Sequence, residues 1–171
     1  MSWWVYFVGI LAVIIGAGAF FGAPYVPTRR RDLKRMFDEL QPVTSRDVVL
    51  DFGSGDGLIL REASRRGAKA VGFEINPVFW AISKLWSLGD KRVTAVLCNA
   101  WLTDFPAKTT IIYAFAVSRD SKRLAKKVQK EANRLKRPLF LVCYGSPFPD
   151  IKPLRNFEAY HLYQFQPLHL S

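Results

Sequence analysis

The chain has 171 residues, with 25 Lys and Arg against 14 Asp and Glu and a formal net charge of +11. That length is one domain's worth, and so basic a surface favours an anionic partner, either a lipid headgroup layer or nucleic acid. Only two cysteines are present; with no C-x-x-C pair and no clustered His, Cys98 and Cys143 read as reduced core thiols and exclude a Cys/His metal centre.

From Trp3 to Ala23 run 21 residues without a charge, long enough to cross a hydrocarbon core of about 30 Å at roughly 1.5 Å per helical residue. Trp3, Trp4 and Tyr6 crowd one end as interfacial aromatics do, and Arg29, Arg30, Arg31, Lys34 and Arg35 follow the other. The pattern predicts a single-pass transmembrane anchor over residues 1–23 and a domain over 24–171 on the cytoplasmic side, facing an anionic lipid surface. A cleaved signal peptide fits less well, because Met1-Ser2 supplies no basic segment and the apolar run is long for one. Gly18 and Gly22 have the small-x-x-x-small spacing through which two membrane helices dimerise.

Strand and helix patterns then alternate. Thr28 can cap a helix whose apolar residues Leu33, Met36, Phe37 and Leu40 recur at helical spacing and which ends near Pro42. Strands follow over 47–52, 69–74, 93–97, 110–115 and 138–144, with a last one within 156–166; helices fall at 58–66, 77–88 and 118–135. This predicts an α/β fold with an open, doubly wound, Rossmann-like sheet. The stretch 99–108 is too short for a crossover helix, which makes the sheet a trimmed one. In the helix over 118–135, Leu124, Val128, Ala132 and Leu135 form a buried stripe, while Lys122, Arg123, Lys126, Lys127, Lys130 and Arg134 make the rest basic. Such a face suits solvent, lipid or nucleic acid. His161 and His169 stand alone and read as packing or surface residues, so no metal is expected.

The most informative segment is Asp51-Phe-Gly-Ser-Gly-Asp-Gly57, where the first strand turns into a helix. Gly53, Gly55 and Gly57 permit a tight turn and close approach of a ligand to the backbone. Glu74 lies 21 residues beyond Gly53, at the end of the next strand, where a carboxylate accepts hydrogen bonds from ribose hydroxyls. Together they specify an adenosine-type cofactor. The spacing G-x-G-x-G lacks the third glycine position of the dinucleotide fingerprint G-x-G-x-x-G and fits NAD poorly.

The segment D-x-G-x-G-x-G resembles motif I of the seven-strand S-adenosylmethionine-dependent methyltransferases. With Pro24-Tyr-Val-Pro-Thr28, Gly72-Phe-Glu-Ile-Asn-Pro77 and Ser146-Pro-Phe-Pro149, it makes nearly the whole chain similar to the small membrane-anchored lysine methyltransferases of mitochondria, which modify the ATP synthase c subunit and the adenine nucleotide translocase, and to their bacterial relatives. The resemblance implies S-adenosylmethionine as cofactor, held by Asp51, Gly53, Ser54, Gly55, Gly57, Glu74, Asn99 and Trp101, with Asp51 near the ammonium of its methionine end. Asn99 stands where the family usually has an acidic residue for the adenine amino group; its side-chain carbonyl is still an acceptor. The implied acceptor is a lysine in a membrane protein, and the channel candidates are Tyr25, Thr28, Trp101, Phe115 and Phe148. Direct displacement needs no protein nucleophile, so no catalytic dyad is expected. Three other readings stay open: a small lipophilic substrate, a nucleic-acid amine, and a non-catalytic cofactor-binding protein. Ala114-Phe-Ala-Val117 lacks the Asp/Asn-Pro-Pro-aromatic segment of nucleic-acid amino-methyltransferases.

Overall fold

The computed structural model describes residues 3–9, 30–116 and 118–168. Residues 3–9 form helix α1, with Trp3, Trp4, Tyr6 and Phe7 exposed. The rest of the uncharged run, with Gly18, Gly22, Tyr25 and Thr28, lies outside the described residues, as does His169. Among the described residues no helix is long and apolar enough to cross a membrane.

Helix α2 (Arg30–Arg35) runs on into a π-helical turn, Met36–Leu40, closed by the bond from Gln41 N–H to the Met36 carbonyl at 3.1 Å. The apolar spacing explains the segment: Leu33, Met36, Phe37 and Leu40 are all buried. Then come β1 (Val48–Phe52), α3 (Leu58–Arg65), β2 (Lys69–Glu74), α4 (Pro77–Trp86), β3 (Val93–Leu97), β4 (Ile111–Ala116), α5 (Ser118–Leu135), β5 (Leu139–Gly145), β6 (Arg155–Phe157) and β7 (Tyr160–Phe165). The sheet order is β3-β2-β1-β4-β5-β7-β6. Strands β1 to β5 pair in parallel, and β7 joins antiparallel to both β5 and β6.

One expectation needs correction. The sheet has seven strands, because the C-terminal segment folds as a hairpin, β6–β7, rather than as one strand. Its turn passes through Glu158 at φ +52 without a glycine. The sheet is abbreviated only between β3 and β4, where turns replace a crossover helix, as the spacing predicted.

Alternating strand residues feed two cores. Val49, Ile111, Tyr113, Val142, Tyr160 and Leu162 pack with α2, the π-turn and α3. Leu50, Ile112, Ala114, Leu141, Cys143 and Tyr163 pack with Leu124, Val128 and Ala132 of α5. The order reverses at β1, which pairs with both β2 and β4; in open α/β sheets ligands bind beyond the carboxyl ends of strands at such a switch point.

Gly57 shows how tightly this corner is packed. It sits at φ +81, and a Cβ there would collide with Ser83 Oγ of α4. Gly57→Ala should cost roughly 1–3 kcal/mol, from overpacking added to a left-handed backbone. Because Ser83 is the obstacle, Gly57→Ala with Ser83→Ala should recover part of that loss in urea melts. Strict additivity of the two changes would show that the helices do not meet there.

Candidate cofactor site

The loop between β1 and α3 is shaped by where its amides go. Gly53, Gly55 and Gly57 have φ of +100, +52 and +81, which L side chains adopt only at a cost. Gly53 and Ser54 both donate to the Phe73 carbonyl, at 3.0 and 2.9 Å. Gly55 N donates to Glu74 Oε2 at 2.7 Å, and Gly57 N to the Ser54 carbonyl at 2.8 Å. A phosphate cradle needs such amides turned outward, and here they turn inward. The α3 N-terminus, the other usual anion site, is taken by the chain's own carboxylate, since Leu58 N donates to Asp56 Oδ1 at 2.9 Å. Arg61 bonds the Asp56 carbonyl at 2.6 Å. This loop therefore does not suit a pyrophosphate, in agreement with the glycine spacing.

It suits a cation. Asp51 and Glu74 are buried on adjacent strands. Burial drives the Asp51 carboxyl well above the ordinary carboxylate range, and the negative charges of Glu74 and Asp56 push it further. Among the described residues no three such side chains are placed to hold a metal ion. A cationic group beside Asp51 would reverse that repulsion. A Cβ on Gly53 would meet nothing within 4 Å, so the loop is open on the side where its backbone is exposed. The residues thus fit a phosphate-free, positively charged nucleoside.

The structure places the sequence candidates unequally. Glu74 has a double duty: Oε2 accepts from Gly55 N and Oε1 from Asn76 N, each at 2.7 Å. A carboxylate has about four lone-pair sites, which leaves one per oxygen for ribose hydroxyls. Ser54 presents only backbone, because its side chain packs inward against Gly72. Gly57 faces Ser83 rather than the ligand side. Asn99 Oδ1 accepts from Trp101 N at 3.0 Å, making a turn that leaves one lone pair for an adenine amine. Trp101 is half-buried, edge-on to Phe52 at 4.8 Å. Phe148 is buried, stacked on Tyr163 at 4.5 Å with its amide on the Tyr163 hydroxyl. Phe115 is half-buried at the end of β4, 5.9 Å from Tyr144.

Sequence reasoning missed Ile75, which is exposed beside Glu74 as an apolar wall, and Tyr144, which shares the strand ends with Phe115. It also missed Glu131. This carboxylate is fully buried on α5, paired with Lys127 at 3.0 Å and with Arg134, and it accepts from Phe105 N at 3.2 Å. Lys127 donates to the Thr103 carbonyl at 2.9 Å, Arg134 to that of Phe105 at 2.5 Å, and Arg123 lies 4.2 Å over Trp101. Helix α5 thus grips the β3–β4 loop that carries Asn99 and Trp101. The i,i+4 and i,i+3 spacings were visible in sequence; the loop they hold was not.

No family model matches the chain. Its fold is similar to that of an RNA methyltransferase from Salinibacter ruber in complex with S-adenosyl-L-homocysteine, with a TM-score of 0.71 at 23% identity, covering 85% of this chain and 97% of that one. Seven strands in this order, with a glycine loop at the switch point, define the class of seven-strand S-adenosylmethionine-dependent methyltransferases. Two curated relatives narrow it. The chain is 33% identical over 113 residues to a protein-lysine N-methyltransferase of Saccharolobus islandicus, covering 63% of this chain and 69% of the relative. It is 31% identical over 133 residues to the Xenopus laevis lysine N-methyltransferase named for the ATP synthase c subunit, covering 76% of this chain and 56% of the relative. The chain belongs to the protein-lysine N-methyltransferase family. It spans about half the length of the vertebrate enzymes of that name that it matches.

Two outcomes follow from the buried charges. Because the Asp51 carboxyl titrates above its ordinary value of 3.8 in the folded protein, its contribution to stability is complete below that pH and is lost as pH rises through the raised value. Asp51→Asn should therefore stabilise the ligand-free protein at neutral pH and have little effect in acid, as thermal melts across that range will read. Glu131→Gln leaves two cations without their buried partner and should cost on the order of 3 kcal/mol. Hydrogen exchange should then quicken first in the β3–β4 loop; uniform quickening would refute the grip.

Proposed function

We propose that the protein uses S-adenosylmethionine to methylate a lysine ε-amino group of a protein, with a membrane protein as the target. The observation that carries the reading is the glycine loop whose amides turn inward beside Asp51 and Glu74, which suits a cationic nucleoside rather than a phosphate-bearing one. Membership of the protein-lysine N-methyltransferase family supports the choice of acceptor.

When bound, S-adenosylmethionine supplies a methyl group on a sulfonium, which a neutral amine displaces while the bonding pair leaves on sulfur. Glu74 accepts the ribose hydroxyls through the lone pairs not used by Gly55 and Asn76. Asn99 would accept from the adenine amine, Ile75 and Trp101 would hold the base, and Asp51 would balance the charge of the methionine end. Phe115 and Tyr144 lie where β4 and β5 end. An amine enclosed by their rings is poorly hydrated, which disfavours its ammonium form from a free pKa near 10.4. Holding that nitrogen in line with the methyl group supplies the remaining acceleration, up to about 11 kcal/mol in favourable cases. The proton leaves to solvent.

The reading includes a single-pass anchor over residues 1–23 and a cytoplasmic-side domain, supported by the uncharged run and the basic cluster after it. A nucleic-acid target has less support, since Lys127 and Arg134 of the basic helix are engaged internally.

Calorimetry should detect binding of S-adenosylmethionine and none of NAD. Glu74→Ala should weaken binding by on the order of 1.5–3 kcal/mol, the range for a hydrogen bond to a charged group. With labelled S-adenosylmethionine and the protein's own membranes, label should enter protein as methyl-lysine. Label in lipid or nucleic acid instead would overturn the acceptor assignment, and NAD binding would overturn the cofactor.

A further inference from the structure

Helix α4 covers the β3 edge of the sheet, yet it buries little of itself. Its sequence, PVFWAISKLW, is largely apolar, and Ser83 is its only buried residue. Beyond its tightly packed contact with Gly57, the helix turns its last apolar side chains outward. Leu85 is 67% exposed, Trp86 57% and, just past the helix, Leu88 84%. Arg61 of α3 stands behind the Trp86 ring at 5.2 Å. A lone exposed leucine needs no explanation, but three large apolar side chains within four residues form a patch.

The surroundings of this patch carry one sign of charge. Lys84, Lys91 and Arg92 are exposed on the same segment, and Lys69 starts the neighbouring strand, where Ala70 N donates to the Arg92 carbonyl. Among the described residues none of these four enters a salt bridge. The one acid of the segment, Asp90, bonds Ser64 Oγ at 2.5 Å and the Arg92 amide at 3.0 Å and also attracts the Arg92 guanidinium, and Lys84 lies 5.1 Å over the Trp80 ring. On α5 Lys122, Lys127 and Arg134 are paired while Lys126 and Lys130 enter no salt bridge, but among its described residues no large apolar side chain is exposed beside them. Exposed Trp and Leu at the α4 corner are therefore surrounded by lysine and arginine outside any salt bridge.

Apolar side chains including tryptophan, ringed by exposed lysine and arginine, match the boundary of an anionic bilayer: the apolar groups enter the headgroup layer and the cations meet its phosphates. A second copy of the chain would bring the same cations against each other. We propose that residues 84–92 are a membrane-docking surface for anionic lipid, which fixes the domain's edge against a bilayer. It is independent of the methyltransferase reading and of the N-terminal anchor.

The test uses the full chain with Trp86 replaced by the photo-crosslinker benzoylphenylalanine, mixed with vesicles of phosphatidylcholine with or without phosphatidylglycerol. Irradiation should yield lipid adducts at position 86, several-fold more with phosphatidylglycerol and fewer as salt rises. The same probe at Arg155, on the opposite edge strand, should give almost none. Leu88→Glu should reduce the adducts at position 86, and since Leu88 is exposed it leaves the fold intact. Adducts to a second copy of the chain, equal labelling at both positions, or no lipid adduct at position 86 while residues 3–23 are inserted in the vesicle would each overturn the proposal. The last result would leave the anchor standing.

Discussion

The end of strand β2 organises the site. One peptide carbonyl, that of Phe73, accepts from two consecutive loop amides, and the next side chain, Glu74, accepts from a third and from the residue that starts α4. Four donors that would otherwise point at solvent or ligand are thus tied to two adjacent residues of one strand. Everything else about the loop follows: its three positive φ angles, its inward amides, and its open outer side at Gly53. The ligand's chemistry is selected by exclusion as much as by attraction, since few donors remain to meet a phosphate.

Charge is handled in three ways. At Asp51 it is buried against like charge, a cost in stability that a cationic ligand reverses; strained electrostatics of this kind gather at functional sites. At Glu131 it is buried against opposite charge and hydrogen-bonded on both oxygens, the condition under which a buried ion is tolerated. Around α4 it is left in solvent. A net charge alone does not distinguish these, which is why the sequence left the basic face of α5 open between solvent, lipid and nucleic acid, whereas Arg123, Lys127 and Arg134 of that helix hold the neighbouring loop.

How much was legible in the sequence depended on how local the signal was. The β1 to β5 strands, the α3 to α5 helices and the missing β3–β4 helix follow from apolar period and spacing, and all fall within a residue or two of expectation. The β6–β7 hairpin did not, because Arg155–Phe157 is short and Glu158 takes the left-handed turn without the glycine or asparagine that would mark it. Asp51, Glu74 and the glycines were found by motif, but the motif does not say which glycine faces the ligand. Gly57 faces Ser83, a contact between two helices. Phe148 was singled out within the Ser146-Pro-Phe-Pro149 segment; its stacking on Tyr163 depends on the antiparallel β5–β7 register, which no local pattern encodes.

The turns that replace a helix between β3 and β4 do two jobs at once. Phe105 is 2% exposed and plugs the apolar core over Leu50 and Phe73, while Asn99 and Trp101, a few residues earlier, are the residues proposed to meet the adenine. Here occupancy and folding of that face are one reciprocal equilibrium. Whatever tightens the wall also seats the plug, so the melting temperature must climb with ligand concentration, as mass action on the folded state demands. A bound cofactor would then hold part of the core that Phe105 closes.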